Sequence, residues 1–249
     1  MSGHSKWSTI KRKKGAADAK RGKIFTKIAR DIQVAARDGG PDPVGNPALR
    51  LALAAAKAAN MPKDNQERAI KKGTGDLDGV SLEEVLYEGR GPNGSAFIVE
   101  TLTDNKHRTV AEVRHVFTKA GGELGSSGSV AWMFELTGVV EIAKEKIDED
   151  TLTERAIEAG ADDVKDAGES WLVLCGPTAL ADVSSALEDL EPVSADRQYL
   201  AKPESTVVLE GDAAVAVAKF WTRLDELDDV QNVFTNADLP DDVVAEHGP

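Results

Sequence analysis

Lys11, Arg12, Lys13 and Lys14 form an unbroken run of four cations, and Lys20, Arg21, Lys23, Lys27 and Arg30 continue it. With Lys6 these make ten basic residues in the first thirty, against one acid, Asp18, a net of +9. Such a set neutralises phosphates; it holds neither a nucleophile nor a general base. The whole 249-residue chain carries −13, so the run is an electrostatic exception. Up to Gly75 there are seventeen basic and six acidic residues, a net of +11; the remainder holds thirteen and thirty-seven, a net of −24. A split this steep describes a polyanion-binding end on an acidic body. The body repels nucleic acid, so contact falls mainly to the first quarter, which includes Lys71 and Lys72. Trp7, among the cations, either stacks on an unpaired base or docks on the protein's own helices.

Other motifs are weaker. In TDNKHRT (103–109), Asn105, Lys106, His107 and Arg108 stand where a strand gives way to a helix. A phosphate could bind there, but a helix cap made by Thr103, Asp104 or Asn105 is the favoured local role. GGELGSSGS (121–129), with Gly125, Ser126, Ser127 and Gly128, reads as a mobile loop; it lacks the GxSxG of a nucleophile elbow. These two loops are the places where the acidic body could touch RNA. Gly89, Gly91 and Gly94 match GxGxxG in the wrong context, since a strand follows, and Pro92-Asn93-Gly94 reads as a turn. His4, His107, His115 and His247 have no metal-ligand spacing, and Cys175 closes an apolar WLVLC strand as a core residue. No carboxylate pair stands out as general acid and base. The sequence therefore predicts no enzyme activity, no metal, no cofactor and no small-molecule substrate. One cysteine excludes an internal disulfide framework, and neither a secretory signal nor a membrane span is found, so the expected compartment is the cytoplasm.

The elements that position these groups follow from periodicity. Residues 2–15 read as an extended or poorly ordered arm. Residues 16–37 read as a helix that packs through Ile24, Phe25, Ile28, Ala29, Ile32 and Ala36 and turns Lys20, Lys23, Lys27 and Arg30 outward. Gly39-Gly40 ends it. Asn46 and Pro47 start a second, alanine-rich helix, and a third runs over 63–72. Residues 74–80 are a linker. Strand 138–142, helix 150–159, strand 162–165, strand 170–175, helix 178–190 and strand 193–200 give the ferredoxin-like order β-α-β-β-α-β. The flanking strand 95–103, helix 106–120, strands 129–135 and 205–210, helix 213–227 and strand 230–235 give that order again. The expected fold is α+β: an N-terminal three-helix domain (1–75), then two ferredoxin-like α/β domains, one (137–203) inserted into the other (76–136 with 204–240), and a tail, 241–249.

GHSKW (3–7), DAKRGKIFTKIAR (18–30), AANMPKDN (58–65), ERAIKKGTG (67–75), YEGRGPNG (87–94) and TDNKHRTVAEVRHVFTKAGGELGSSGSVAW (103–132) together closely resemble the YebC family, across essentially the whole chain. The resemblance implies a cytoplasmic bacterial protein of three domains, the first helical and the others α/β, without enzymatic activity. Members are commonly labelled probable transcriptional regulators that bind DNA. Organelle relatives are described as translational activators, and bacterial relatives are linked to ribosomes and to translation of difficult peptide stretches. This chain departs in Ser8-Thr9 after Trp7 and in an acidic, alanine-rich C-terminal region; neither touches the basic stripe. The expected ligand is nucleic acid, either DNA or ribosomal RNA on the ribosome, with no membrane partner.

Overall fold

The computed structural model describes residues 18–78 and 81–249. The chain is α+β and forms two compact units, one of residues 81–136 with 199–249, the other of 18–78 with 137–198.

The second unit begins with three helices, α1 (Asp18–Gly39), α2 (Pro47–Ala58) and α3 (Lys63–Thr74). Ile28, Ile32, Ala35, Leu49, Ala52, Ala56, Met61 and Ala69 form their common core. The small residues let the helices lie close. At Gly73 the approach is tightest: a Cβ there would collide with the Gln33 carbonyl and crowd Ala36 of α1. Asn46 joins the first two helices. Its Oδ1 accepts from the Leu49 N–H at 3.0 Å and caps α2, while its Nδ2 donates to the Ala35 and Gly40 carbonyls at 2.7 and 2.8 Å. One buried amide thus satisfies a helix start and a helix end. Gly40, at φ +84°, makes the left-handed turn after α1.

In the same unit, β4 (Phe134–Ala143), α5 (Glu149–Glu158), β5 (Asp163–Asp166), β6 (Ser170–Cys175), α6 (Leu180–Ala186) and β7 (Ser194–Ala201) follow the expected chain order. The sheet order β5-β6-β4-β7 is the ferredoxin-like one, and β6 runs antiparallel to both neighbours. Val140, Ile142, Leu152, Ala156, Trp171, Val173, Leu180 and Val183 fill the space between sheet and helices. The helix expected over 178–190 tightens after Ala186 into a 3-10 turn, Glu188–Leu190.

The first unit departs from expectation in an instructive way. Its sheet is β3 (Glu123–Leu124), β1 (Glu83–Arg90), β2 (Ala96–Thr103) and β9 (Val230–Thr235), in that order, with α4 (Lys106–Lys119) and α7 (Gly211–Asp225) packed on one face. The spatial plan is that of a ferredoxin-like sheet, but the strand between β3 and β2 comes from upstream. β1, absent from the sequence expectation, forms a hairpin with β2 through the Pro92–Gly94 turn. The strand expected at 129–135 does not form before Phe134; Ala131–Met133 is a 3-10 turn. Of 205–210 only β8 (Val207–Val208) is a strand, paired in parallel with β10 (Ala237–Asp238) in a separate two-stranded sheet. Residues 241–249, expected as a tail, contain α8 (Asp241–His247), whose Val244 is buried in the main core. That core centres on Phe97, Phe117 and Phe220, packed edge to face at centroid distances of 4.8 to 6.5 Å.

Replacing Asn46 by Ala removes a helix cap and leaves two carbonyls without their donor. The expected loss is about 2–4 kcal/mol of local stability. Native-state hydrogen exchange over α1 and α2 measures it, and Asn46→Asp, which keeps the cap and loses both donations, is expected to fall between wild type and Asn46→Ala.

Candidate nucleic-acid interface

The positive end of the chain lies in the three helices. Lys6, Trp7, Lys11, Arg12, Lys13 and Lys14 are outside the described residues, and of Lys20 and Arg21 only the helical backbone is described. Lys23, Lys27 and Arg30 do share one side of α1, as the spacing predicted, but each is half-buried and engaged with a neighbour. Val34, on that same side, is only 8% exposed. Ile24, expected in the core, is 43% exposed. Lys71 and Lys72 are exposed in the last turn of α3, and Arg68, a turn earlier and not among the residues expected from the sequence, is exposed too. Its spacing of three and four residues to the two lysines was the available signal.

The TDNKHRT loop is built by a buried acid. Asp229 is 2% exposed and accepts from Thr103 Oγ1 at 3.0 Å, Thr109 Oγ1 at 2.7 Å and Arg108 Nη2 at 2.7 Å. Burial alone would raise its carboxyl; the Arg108, Thr109 and Thr103 donors outweigh it and hold the group below the usual carboxylate range. Arg108 also pairs with Asp104 at 2.8 Å, and Lys106 with Glu83 at 2.5 Å. Asn105 caps α4 by accepting from the Arg108 N–H at 3.1 Å. The favoured cap is therefore present, and two of the loop's cations are committed to carboxylates of the protein itself. His107 is exposed beside them.

The GGELGSSGS loop is fastened, not loose. Glu88 of β1, 4% exposed, receives three backbone N–H groups: Gly128 at 2.7 Å, Val130 at 2.9 Å and Ala131 at 2.8 Å. Its own carbonyl takes the Gly125 N–H at 2.8 Å. Burial pushes the Glu88 carboxyl up, and the amides from Gly128, Val130 and Ala131 more than reverse the effect. The donors that a strand over 129–135 would have offered to a neighbour go to this carboxylate, which explains why no ladder forms there. Ser126, Ser127 and Gly128 remain exposed on the outside of the loop. Beyond it Trp132 is 58% exposed, a second residue passed over in the sequence.

Cys175 is buried, and burial with the nearby Asp162 charge pushes its thiol up to about 11, which keeps it unreactive at neutral pH. Among the described residues no cluster of three or more His, Cys, Asp or Glu side chains could hold a metal, and no helix is long and apolar enough to cross a membrane.

Two family models cover the chain: the TACO1/YebC protein N-terminal domain matches residues 5–76, and the TACO1/YebC second and third domain matches residues 82–237. A protein of Desulforapulum autotrophicum named "Probable transcriptional regulatory protein" is 56% identical over 98% of each chain. One of the same name from Desulfatibacillum aliphaticivorans is 54% identical over 99% of this chain and all of its own. A crystal structure of a conserved hypothetical protein from Aquifex aeolicus superposes with a TM-score of 0.84 at 46% identity, covering 94% of this chain and 97% of that one.

The Glu88 carboxyl is lowered on folding, so its contribution is complete above its ordinary value near 4.5 and is lost as pH falls through the lower folded-state value. Glu88→Gln is expected to cost about 2–4 kcal/mol at neutral pH. Urea unfolding of both proteins at a series of pH values checks this: the gap between them should shrink as pH drops below 4.5.

Proposed function

The chain belongs to the TACO1/YebC family, and from that premise we propose that it is a cytoplasmic nucleic-acid-binding regulator of gene expression that acts by binding and not by catalysis. The observation that carries the reading is the division of charge, +11 up to Gly75 against −24 beyond it. Binding falls to the first 75 residues, through the arm cations Lys6 and Lys11–Lys14, the α1 residues Lys20, Arg21, Lys23, Lys27 and Arg30, and Lys71 and Lys72 of α3. The acidic α/β region is the body that carries them. The names of the relatives support DNA and transcription as the setting. The use of Glu88, Asp229 and Arg108 as internal fasteners supports a role without chemistry.

A second reading, an RNA-binding translation factor on the ribosome, is favoured by the polar residues of the helical region. Base edges are read chiefly by Asn, Gln and Arg in fixed geometry. Here Asn46 is buried, Gln33, Asn65 and Gln66 are half-buried, and of the described amides in this region only Asn60 is exposed, in a turn. A surface of this kind holds phosphates better than it chooses sequences.

Removing residues 2–15 is expected to abolish most binding to DNA and RNA in an electrophoretic mobility shift at low salt, and wild-type affinity should fall steeply as salt rises. Equal binding by the truncated chain would remove the arm from the interface. Sucrose-gradient fractionation of lysate then separates the two settings: co-migration with ribosomes, lost when Lys11–Lys14 are neutralised, supports translation, and absence from ribosomes with retention on particular promoter fragments supports transcription.

A further inference from the structure

The cations named from spacing and those that the fold leaves open are different sets. On α1, Lys23, Lys27 and Arg30 are half-buried and engaged, and Arg37 pairs with Asp38 at 2.6 Å. On α3 the situation reverses. Ala69 is buried, and Gln66 is half-buried with its Nε2 donating to the Met61 carbonyl at 2.8 Å. Gly73 lies against the α1 backbone, so close that no side chain fits. These three define the packing side of the helix. At about 100° per residue, Lys71 falls opposite, Arg68 near it, and Lys72 on the flank of that side. All three are exposed, and none makes an ion pair among the described residues. Asp64 and Glu67 lie on the same side, four residues before Arg68 and Lys71, and from Arg68 onward this side carries only cations.

A helix end welcomes positive charge, but the effect fades within the last turn. Lys71 and Lys72 are accounted for by it; Arg68, a turn further back, is not. Arg68 and Lys72 are separated by about 6 Å along the helix axis, a reach comparable to about two phosphates of one strand at 3.4 Å of axial rise each.

We propose that the exposed face of α3, made by Arg68, Lys71 and Lys72, is a contact track for the phosphodiester backbone, and that it holds nucleic acid without selecting base sequence. The inference rests on the reading of the chain as a nucleic-acid binder and assigns the contact to this helix. Gly73 sets the geometry: it fixes which side of α3 faces α1 and so which side meets the ligand. The guanidinium of Arg68 supplies a two-pronged phosphate grip, and the two lysines supply point charges beside it.

The test uses the full-length protein and fluorescence anisotropy with four probes: a uridine homopolymer, an adenosine homopolymer, a mixed-sequence RNA duplex and a mixed-sequence DNA duplex. The variants are Arg68→Gln/Lys71→Gln/Lys72→Gln and, as a control on the acidic body, Lys219→Gln. All four positions are exposed, and circular dichroism with thermal melting verifies that the variants fold. The triple variant is expected to bind at least about tenfold more weakly, and its salt dependence to lose about two to three units of slope. The loss should be similar for the two homopolymers, with the control unchanged. If wild type binds and the triple variant binds equally well, the α3 track is wrong while the nucleic-acid reading stands. If wild type binds one homopolymer far better than the other, and the triple variant erases that preference, the track reads bases and the proposal fails in that part. If wild type binds none of the probes, the reading itself fails and the track with it.

Discussion

A carboxylate taken out of water costs several kcal/mol unless donors replace the water it loses. The larger part of this chain carries a net of −24, and its fold depends on meeting that constraint at a few buried acids. Glu88 meets it with three backbone amides, and Asp229 with two hydroxyls and a guanidinium. Each solution ties together segments distant in sequence: β1 to the loop before β4, and the β2–α4 junction to the residue that precedes β9. Motifs that look like chemistry when read in line therefore become fasteners when folded. Arg108 is the clearest case. Beside a helix N-terminus it resembles a phosphate ligand, yet it is spent on Asp104 and Asp229.

The same constraint shapes the surface. Cations on the acidic body tend to be taken up by nearby carboxylates: Lys144 by Asp166, Lys146 by Glu191, Arg155 by Asp189, Lys106 by Glu83. Such exposed pairs add little to stability. Their effect is local: the cation is matched where it stands, while Arg90, Arg114, Lys119, Arg197, Lys219 and Arg223 stay exposed among a large excess of acids. The helical region behaves differently, since its charge balance leaves cations in excess. Within that region the described cations of α1 are half-buried and engaged, except exposed Arg37, which pairs with Asp38, and those of α3 are exposed.

What could be read in the sequence was whatever local physics decides. Asn46-Pro47 announces a helix start, Gly39-Gly40 a helix stop, and the apolar run of β6 a buried strand; all three stand where expected. What could not be read was decided by partners far away in sequence. β1 is rich in charge and has Gly89 beside its last residue, so EEVLYEGR looks like the approach to a turn. Gly89 is there because the Phe117 ring and the Glu123 carbonyl occupy the space of a side chain. The strand expected at 129–135 has the right composition, but its amides are claimed by Glu88. The α1 stripe was legible as a periodicity, and its half-buried state was not, because periodicity shows which residues share a side and says nothing of what covers that side.

Gly73 shows how a packing constraint can become a functional one. Within ERAIKKGTG the glycine makes no contact a ligand could use, and the two lysines before it look like the substance of the motif. In the fold the order of dependence runs the other way. Any side chain at position 73 would push α3 off α1, and a rotation of the helix by about 100° would carry Arg68, Lys71 and Lys72 round together and turn part of their face toward α1. Helix spacing puts the three cations on one face, and an uncharged residue that lets the helix seat closely keeps that face turned outward. The residues that bind and the residue that makes them a site are separable. The first set tolerates exchange among cations; the second tolerates no side chain at all.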